Sequence, residues 1–260
     1  MKIATWNVNS LRVRLEQVLT WLKANPVDVL GLQETKLTDA NFPAQAIRDA
    51  GYEVSFSGQP TYNGVALLTR MDSVGAAQDI VIGNPRFEDT QQRLITGTCN
   101  GLRVTCAYFP NGQDTESDKY QYKLAWLDAL ILWLGDGAGA PGVPRVLVGD
   151  YNIAPADADV HQPQAWAGKV LCSEPERARF EQLIGLGLVD AFRLFDQAPK
   201  TFTWWDYRRQ GFRRNAGLRI DHTLVDAPLR DSVVGCVVDK EPRGWEQPSD
   251  HAPVIVEIKR

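Results

Sequence analysis

Nine short apolar runs, each bounded by turn-forming residues, constrain this chain more than any other feature. They predict strands over residues 3–7, 29–33, 65–69, 94–99, 103–109, 145–148, 218–225, 233–238 and 254–258. Several are apolar at successive positions rather than alternate ones, as in Val146-Leu147-Val148. A strand of that kind buries both faces, so its sheet is covered on each side. Helical spacing lies between the runs. Leu15, Val18, Leu19 and Leu22 share one face, as do Leu127, Leu130, Ile131 and Leu134. Ser173 followed by Glu176 forms a capping box that opens a helix toward Leu183. The pattern predicts an α/β (α+β) fold in which stacked sheets carry helices on the outside.

Nothing in the chain asks for a membrane. No apolar run approaches the ~20 residues needed to span a bilayer, and Met1-Lys2-Ile3-Ala4-Thr5-Trp6-Asn7 turns polar too soon for a secretory signal. A cytoplasmic protein is expected. With 260 residues the chain can bury a substantial core, as one large domain or two small ones. There is no internal repeat, and the glycine-rich patch at residues 135–142 is too short to separate domains; it reads as a flexible connection. Cys99, Cys106, Cys172 and Cys236 include no C-x-x-C pair, which argues against a zinc site, a redox motif or disulfides.

The net charge of -4 excludes a generally polycationic binder. Charge is nonetheless uneven. Residues 200–219 hold Lys200, Arg208, Arg209, Arg213, Arg214 and Arg219 against Asp206 alone, interleaved with Phe202, Trp204, Trp205, Tyr207 and Phe212. Such a mixture suits a phosphate backbone with bases or sugars to stack against. A solvated loop with a few core aromatics accounts for the segment equally well.

The unusual polar residues share a location. Asn7 ends the first run and Glu34 follows the second; Tyr108 and Asn111 flank the end of another, followed by Asp150 and Asn152, while Asp250 and His251 precede the last. Asp221 lies inside a run, where a lone carboxylate is costly unless paired. Individually these have ordinary explanations: a turn cap at Asn7, a surface acid beside Lys36, an Asx-turn at Asp150 and Asn152, a loop histidine. Jointly they describe a site built on strand ends. Magnesium takes oxygen ligands from one or two carboxylates plus substrate phosphate, which suits Glu34 with Asp250 and Asn7 nearby. The absence of Cys and His clusters argues against zinc. In-line displacement at a phosphodiester needs an oriented water and donors to the non-bridging oxygens. Asp150 suits the water, and His251, held by Asp221, suits the phosphate. Asn152, Tyr108 and Asn111 are suitable neutral donors.

Seven segments carry a family resemblance: Thr5-Trp6-Asn7-Val8-Asn9-Ser10-Leu11-Arg12, Leu32-Gln33-Glu34-Thr35-Lys36, Tyr62-Asn63-Gly64-Val65-Ala66, Tyr108-Phe109-Pro110-Asn111-Gly112, Gly149-Asp150-Tyr151-Asn152-Ile153-Ala154-Pro155, Gly217-Leu218-Arg219-Ile220-Asp221-His222 and Ser249-Asp250-His251-Ala252-Pro253. In kind and order they resemble the exonuclease III family of AP endonucleases, within the endonuclease/exonuclease/phosphatase superfamily. The resemblance runs nearly end to end. It implies one domain over residues 1–260, a four-layer sandwich of two mixed sheets flanked by helices. It implies a monomeric, Mg2+-dependent and often Mn2+-tolerant enzyme of base excision repair. Such an enzyme cleaves double-stranded DNA 5′ to abasic sites and processes blocked 3′ ends. By motif position Glu34 binds metal with Asn7 and Asp250 assisting, Asp150 activates water, Asn152 and Tyr108 contact the phosphate, and Asp221 pairs with His251.

Trp204-Trp205-Asp206-Tyr207 also matches the family. The resemblance places Trp204, Leu218 and Ile220 around an apolar pocket for a flipped-out abasic sugar, with Asn111, Arg208, Arg209, Arg213 and Arg214 on the DNA. Asn9 stands where some relatives carry aspartate, which puts a second metal contact there in doubt. Residues 157–172, with His161, Trp166 and Ala167-Gly168, are not strongly typed; if they border the pocket, their bulk sets the balance of abasic incision against 3′-end processing. Two other readings fit less of the chain. A phosphatase or phospholipase of the same superfamily has no evident need for the basic, aromatic segment, and a non-catalytic nucleic-acid-binding module needs a broken constellation.

Overall fold

The computed structural model describes residues 1–259. In chain order the elements are β1 (Lys2–Asn7), α1 (Leu11–Ala24), β2 (Val29–Gln33), α2 (Ala44–Asp49), β3 (Tyr52–Ser57), β4 (Val65–Arg70), β5 (Gln78–Ile82), β6 (Leu94–Cys99), β7 (Leu102–Tyr108), α3 (Asp118–Gly135), β8 (Arg145–Asp150), α4 (Pro163–Trp166), α5 (Glu174–Gly185), β9 (Leu188–Asp190), β10 (Asp221–Asp226), β11 (Val233–Val238) and β12 (Val254–Ile258). The strands form two six-stranded sheets, ordered β11-β12-β1-β2-β4-β3 and β5-β6-β7-β8-β10-β9. Both are mixed. The β1–β2 and β7–β8 pairs are parallel and their neighbours antiparallel.

The consecutive apolar runs divide between two faces. Val146 and Val148 of β8 enter the core between the sheets, where Ile3, Val29, Leu67, Val104 and Val256 also lie. Leu147 faces the other way, into a cluster with Trp126, Leu127 and Leu130 of α3 and Phe180 and Leu183 of α5. Across the sandwich, Ala4, Leu30 and Leu32 pack with Val18, Trp21 and Leu22 of α1. The layers are therefore helix, sheet, sheet, helix, as the double-sided burial requires. The sheets approach closely at Gly31, where an added Cβ would stand 2.9 Å from Cys106 Sγ. The capping box of α5 forms from Ser173 and Glu176. All four cysteines are free and buried. Among the described residues no helix is long and apolar enough to cross a membrane.

Three strands lack the apolar-run signal. β3 and β5 are sheet edges, and β9 is an edge of three residues. An edge strand is covered less than a central one, and β5 is exposed or half-exposed throughout. A second difference lies at residues 218–220. Leu218 makes only isolated bridges, to Val160 and Trp204, and the ladder begins at Asp221. Asp221 thus opens β10 instead of lying inside a strand.

A third difference concerns Arg219, counted in the basic segment but almost fully buried. Its guanidinium donates from Nε to Asp159 (2.6 Å) and from Nη2 to Asp190 (2.8 Å). Its Nη1 faces His222 Nδ1 at 3.0 Å, and His222 Nε2 faces the Ile153 carbonyl at 2.9 Å. Nδ1 accepts and Nε2–H donates, so the imidazole is neutral. Burial, and then the Arg219 charge, hold its pKa down at about 4. A depressed folded pKa contributes stability that is present above the unfolded value near 6.5 and lost as pH falls through about 4. Wild type is therefore expected to lose roughly 1–3 kcal/mol more than His222→Gln between those limits. Urea midpoints measured for both proteins across that range check this; parallel curves would refute it.

Candidate active site

The parallel central pairs point their C-terminal ends at one rim of the sandwich, and the antiparallel β10 and β12 begin there. Asn7 ends β1, Tyr108 ends β7, Asp150 ends β8 and Asp221 starts β10. Gly149 lets β8 run close beside β7, since a Cβ there would lie 1.9 Å from the Ala107 carbonyl oxygen. Glu34 follows β2 with a φ of 53°, and Asn152 follows β8 with a φ of 49°. Left-handed backbone costs on the order of 1 kcal/mol for residues other than glycine. At Glu34 the amide of Ser10 (2.7 Å) bonds the carbonyl and holds that conformation.

The two sheets supply one connected set of side chains. Asn7 Nδ2 donates to Glu34 Oε1 at 2.8 Å and to Asp150 Oδ2 at 2.9 Å, while its Oδ1 accepts from the Asn9 amide at 2.9 Å. Asp150 Oδ1 accepts from the Asn152 amide at 2.9 Å, an Asx-turn, and Asn152 Nδ2 reaches Asp150 Oδ2 at 3.2 Å. Turn and site are thus the same structure. Asn111 Nδ2 donates to Asn152 Oδ1 at 3.0 Å. Asp221 accepts from His251 Nδ1 at 2.9 Å, leaving Nε2 3.7 Å from Asp150 Oδ2.

Charge assigns different parts to these groups. Burial alone lowers the His251 pKa, but Asp221, then Asp150, outweigh it and raise it to about 10. His251 is therefore an imidazolium, a proton donor aimed at the site. Burial pushes Asp150 up to about 7, with His251 opposing and Asp221 adding. The phenol of Tyr108 is held well above its usual value by burial and by Glu34 and Asp150, so it too is a neutral donor.

Glu34, Asp150 and His251 each bring a ligand atom within 4.8 Å of the others. This donor set fits a hard divalent cation at the two carboxylates. The other expected ligands are hydrogen-bonded within the same site. Asn7 presents its NH2 to both carboxylates and so orients them. Asp250 accepts from Asn9 Nδ2 (3.0 Å) and from Trp204 Nε1 (3.0 Å).

These groups open onto a cavity of about 900 Å³ lined also by Trp204, Ile220, Arg208, Arg209 and Arg214, and by His161, Trp166 and Leu171 from residues 157–172. Two expected residues are not on its surface. Leu218 is fully buried beneath it, packed with Ile220, Val160 and Leu171; Arg213 is exposed outside the lining. Arg208 is paired with Asp206 at 2.6 Å.

Several participants were not singled out in the sequence. Lys36 Nζ lies 2.9 Å from Glu34 Oε2 and 2.5 Å from Asn9 Oδ1. Thr203 Oγ1 accepts from the amides of Ile220 and Asp221, both at 3.0 Å. Ser249 Oγ donates to the Asn7 carbonyl at 2.6 Å. Lys36 and Ser249 sit inside quoted motifs, whereas Thr203 carries no signal.

The sequence pattern of the endonuclease/exonuclease/phosphatase family matches residues 4–251. The chain belongs to that family. Within it, exodeoxyribonuclease III of Haemophilus influenzae is 35% identical over 100% of both chains. Among solved structures, a Neisseria 3′ phosphatase bound to a product DNA hairpin superposes with a TM-score of 0.96 at 45% identity, covering 100% of both chains. An AP endonuclease from Archaeoglobus fulgidus gives 0.94 at 37% identity, again over 100% of both. These relatives place the chain in the exonuclease III branch of the endonuclease/exonuclease/phosphatase family.

Proposed function

We propose that this protein is a DNA-repair nuclease, a Mg2+-dependent phosphodiesterase that cleaves double-stranded DNA 5′ to abasic sites and trims blocked 3′ ends. One observation carries this reading. The carboxylate, amide and imidazolium constellation opens directly onto a cavity with an apolar wall at Trp204 and Ile220 and an arginine rim. A sugar that has lost its base fits an apolar recess, and the arginines suit the flanking phosphates.

The residues divide the work. Asp150 orients a water for in-line attack and takes its proton. His251 donates to a non-bridging oxygen, and Asn152, Asn111 and Tyr108 offer neutral donors to the same phosphate. When bound at Glu34 and Asp150, Mg2+ would supply positive charge that keeps Asp150 ionised and polarises the phosphate. The enzyme acts as a monomer of one domain. The Trp166 side of the cavity sets how readily an internal abasic sugar enters compared with a 3′ end.

The test is a labelled abasic duplex and a matched 3′-recessed duplex, each with Mg2+ and with EDTA. Cleavage 5′ to the abasic site with Mg2+ and none in EDTA is expected; equal activity in EDTA would sink the proposal. Faster turnover of inositol phosphates or sphingolipid would move the chain to another branch of the superfamily.

A further inference from the structure

Beneath the site lies an ion pair fully withdrawn from solvent, Lys123 of α3 with Glu176 of α5. An ammonium has three protons, and this one spends them on three named acceptors. Besides Glu176 Oε1, Lys123 Nζ donates to the Asn152 carbonyl at 2.7 Å and the Asn111 carbonyl at 3.1 Å. Both acceptors belong to asparagines that face the cavity. The carboxylate is equally committed. Glu176 Oε1 also accepts from the Leu171 amide at 3.0 Å, and Oε2 accepts from the Ser173 amide at 3.1 Å and hydroxyl at 2.5 Å.

Two of the tethered residues have backbone that resists its own conformation. Asn152 has a φ of 49° and Leu171 a φ of 74°, both left-handed. A branched apolar residue such as leucine is an outlier there. Such geometry persists only where its surroundings over-determine it. The ion pair does so at both places, through the carbonyl of one and the amide of the other. The Ala154 amide, bonded to the Leu171 carbonyl at 2.8 Å, closes the link between the two loops.

A buried salt bridge is a poor device for stability, because desolvation offsets most of the attraction. We infer that the Lys123–Glu176 pair is a positioning device, holding the phosphate-facing asparagines and the cavity-lining Leu171 in fixed relation. Lys123 touches no substrate; it acts through Asn111 and Asn152. The kinetic part of this inference rests on the function proposed above, and the backbone part does not.

The test pairs Lys123→Met with Glu176→Gln, which removes both charges and keeps the capping box, since glutamine caps as glutamate does. At a temperature where circular dichroism shows the variant folded, kcat on the abasic duplex is expected to fall about 100-fold with KM changed little, because small misplacement of positioned groups is felt in the transition state. Lys123→Arg in a chain that keeps Glu176, which retains both charges and the donors, is expected to avoid most of that loss. Hydrogen exchange gives a readout without substrate: the amides of Asn152 and Leu171 are expected to exchange at least tenfold faster in the double variant, while those of β1 and β8 do not change. If that variant does not fold, Lys123→Gln with Glu176→Gln keeps a neutral NH2 donor and is read in the same way, with about a tenfold loss expected. Wild-type kcat in a folded variant, or unchanged exchange at both amides, would overturn the inference. A wild type that cleaves no DNA would refute the functional reading instead, and the exchange data would still decide the role of the pair.

Discussion

Asp150→Asn is expected to lower kcat on an abasic duplex about 10⁴-fold while the Kd for that duplex changes little. Under the proposed mechanism this carboxylate takes the proton from water, and removing a general base costs about 10²–10⁴. The upper end applies here because the substitution does a second kind of damage. Asp150 Oδ2 accepts from the Asn7 and Asn152 side chains and Oδ1 accepts from the Asn152 backbone amide, so whichever oxygen becomes an NH2 group meets a donor. The substitution leaves the arginine rim untouched, so binding is expected to survive. Single-turnover rates with saturating enzyme, beside equilibrium binding of the uncleaved duplex, separate the two effects. A variant that retained a tenth of the wild-type rate would remove Asp150 from the chemistry.

Asp221→Asn is expected to change the pH dependence as well as the rate. In wild type the imidazole of His251 has a pKa of about 10, so it is protonated throughout the neutral range. The charge of Asp221 is the largest influence raising it, and burial opposes. Without that charge only Asp150 and Asp250 oppose burial, and the His251 pKa falls. A proton donor is active below its pKa, so the variant loses about tenfold per pH unit above that value, whereas wild type stays flat. Near pH 8 the deficit is expected to reach about 10³-fold once misorientation of the ring is included. The pH profile of kcat for both proteins checks this. A profile of unchanged shape, merely displaced downward, would mean that Asp221 orients the ring without setting its charge.

The central strands were legible because they are buried on both faces: Val146, Leu147 and Val148 each meet apolar neighbours. The edges β3, β5 and β9 were not, since a strand with one open side spends its residues on solvent. The Asp221–His251 pair was legible for an energetic reason, as an unpartnered carboxylate in an apolar stretch demands a cation. Lys123 and Arg219 show the converse. A lysine in Lys119-Tyr120-Gln121-Tyr122-Lys123 reads as the wet side of a helix, and Arg219 reads as one more basic residue of its segment. Both are buried because acids distant in sequence, Glu176, Asp159 and Asp190, meet them in the fold. Local spacing carries no trace of such partners. The same holds for Leu218, one residue from a buried arginine and two from the cavity lining.

The pairing of β1 with β12 has a consequence for how the enzyme comes into being. Asn7 and Ser249 are bonded across 242 residues of chain, and Trp6 Nε1 donates to the His251 carbonyl at 3.2 Å. A ribosome extruding this chain delivers Glu34 and Asp150 long before the imidazole that completes them. The half-made protein pairs β1 with β2 on one side only, and the other edge of β1 stays open until β12 arrives. Capacity to cut DNA therefore waits on the segment that carries Asp250 and His251, and a product terminated before it lacks the imidazole.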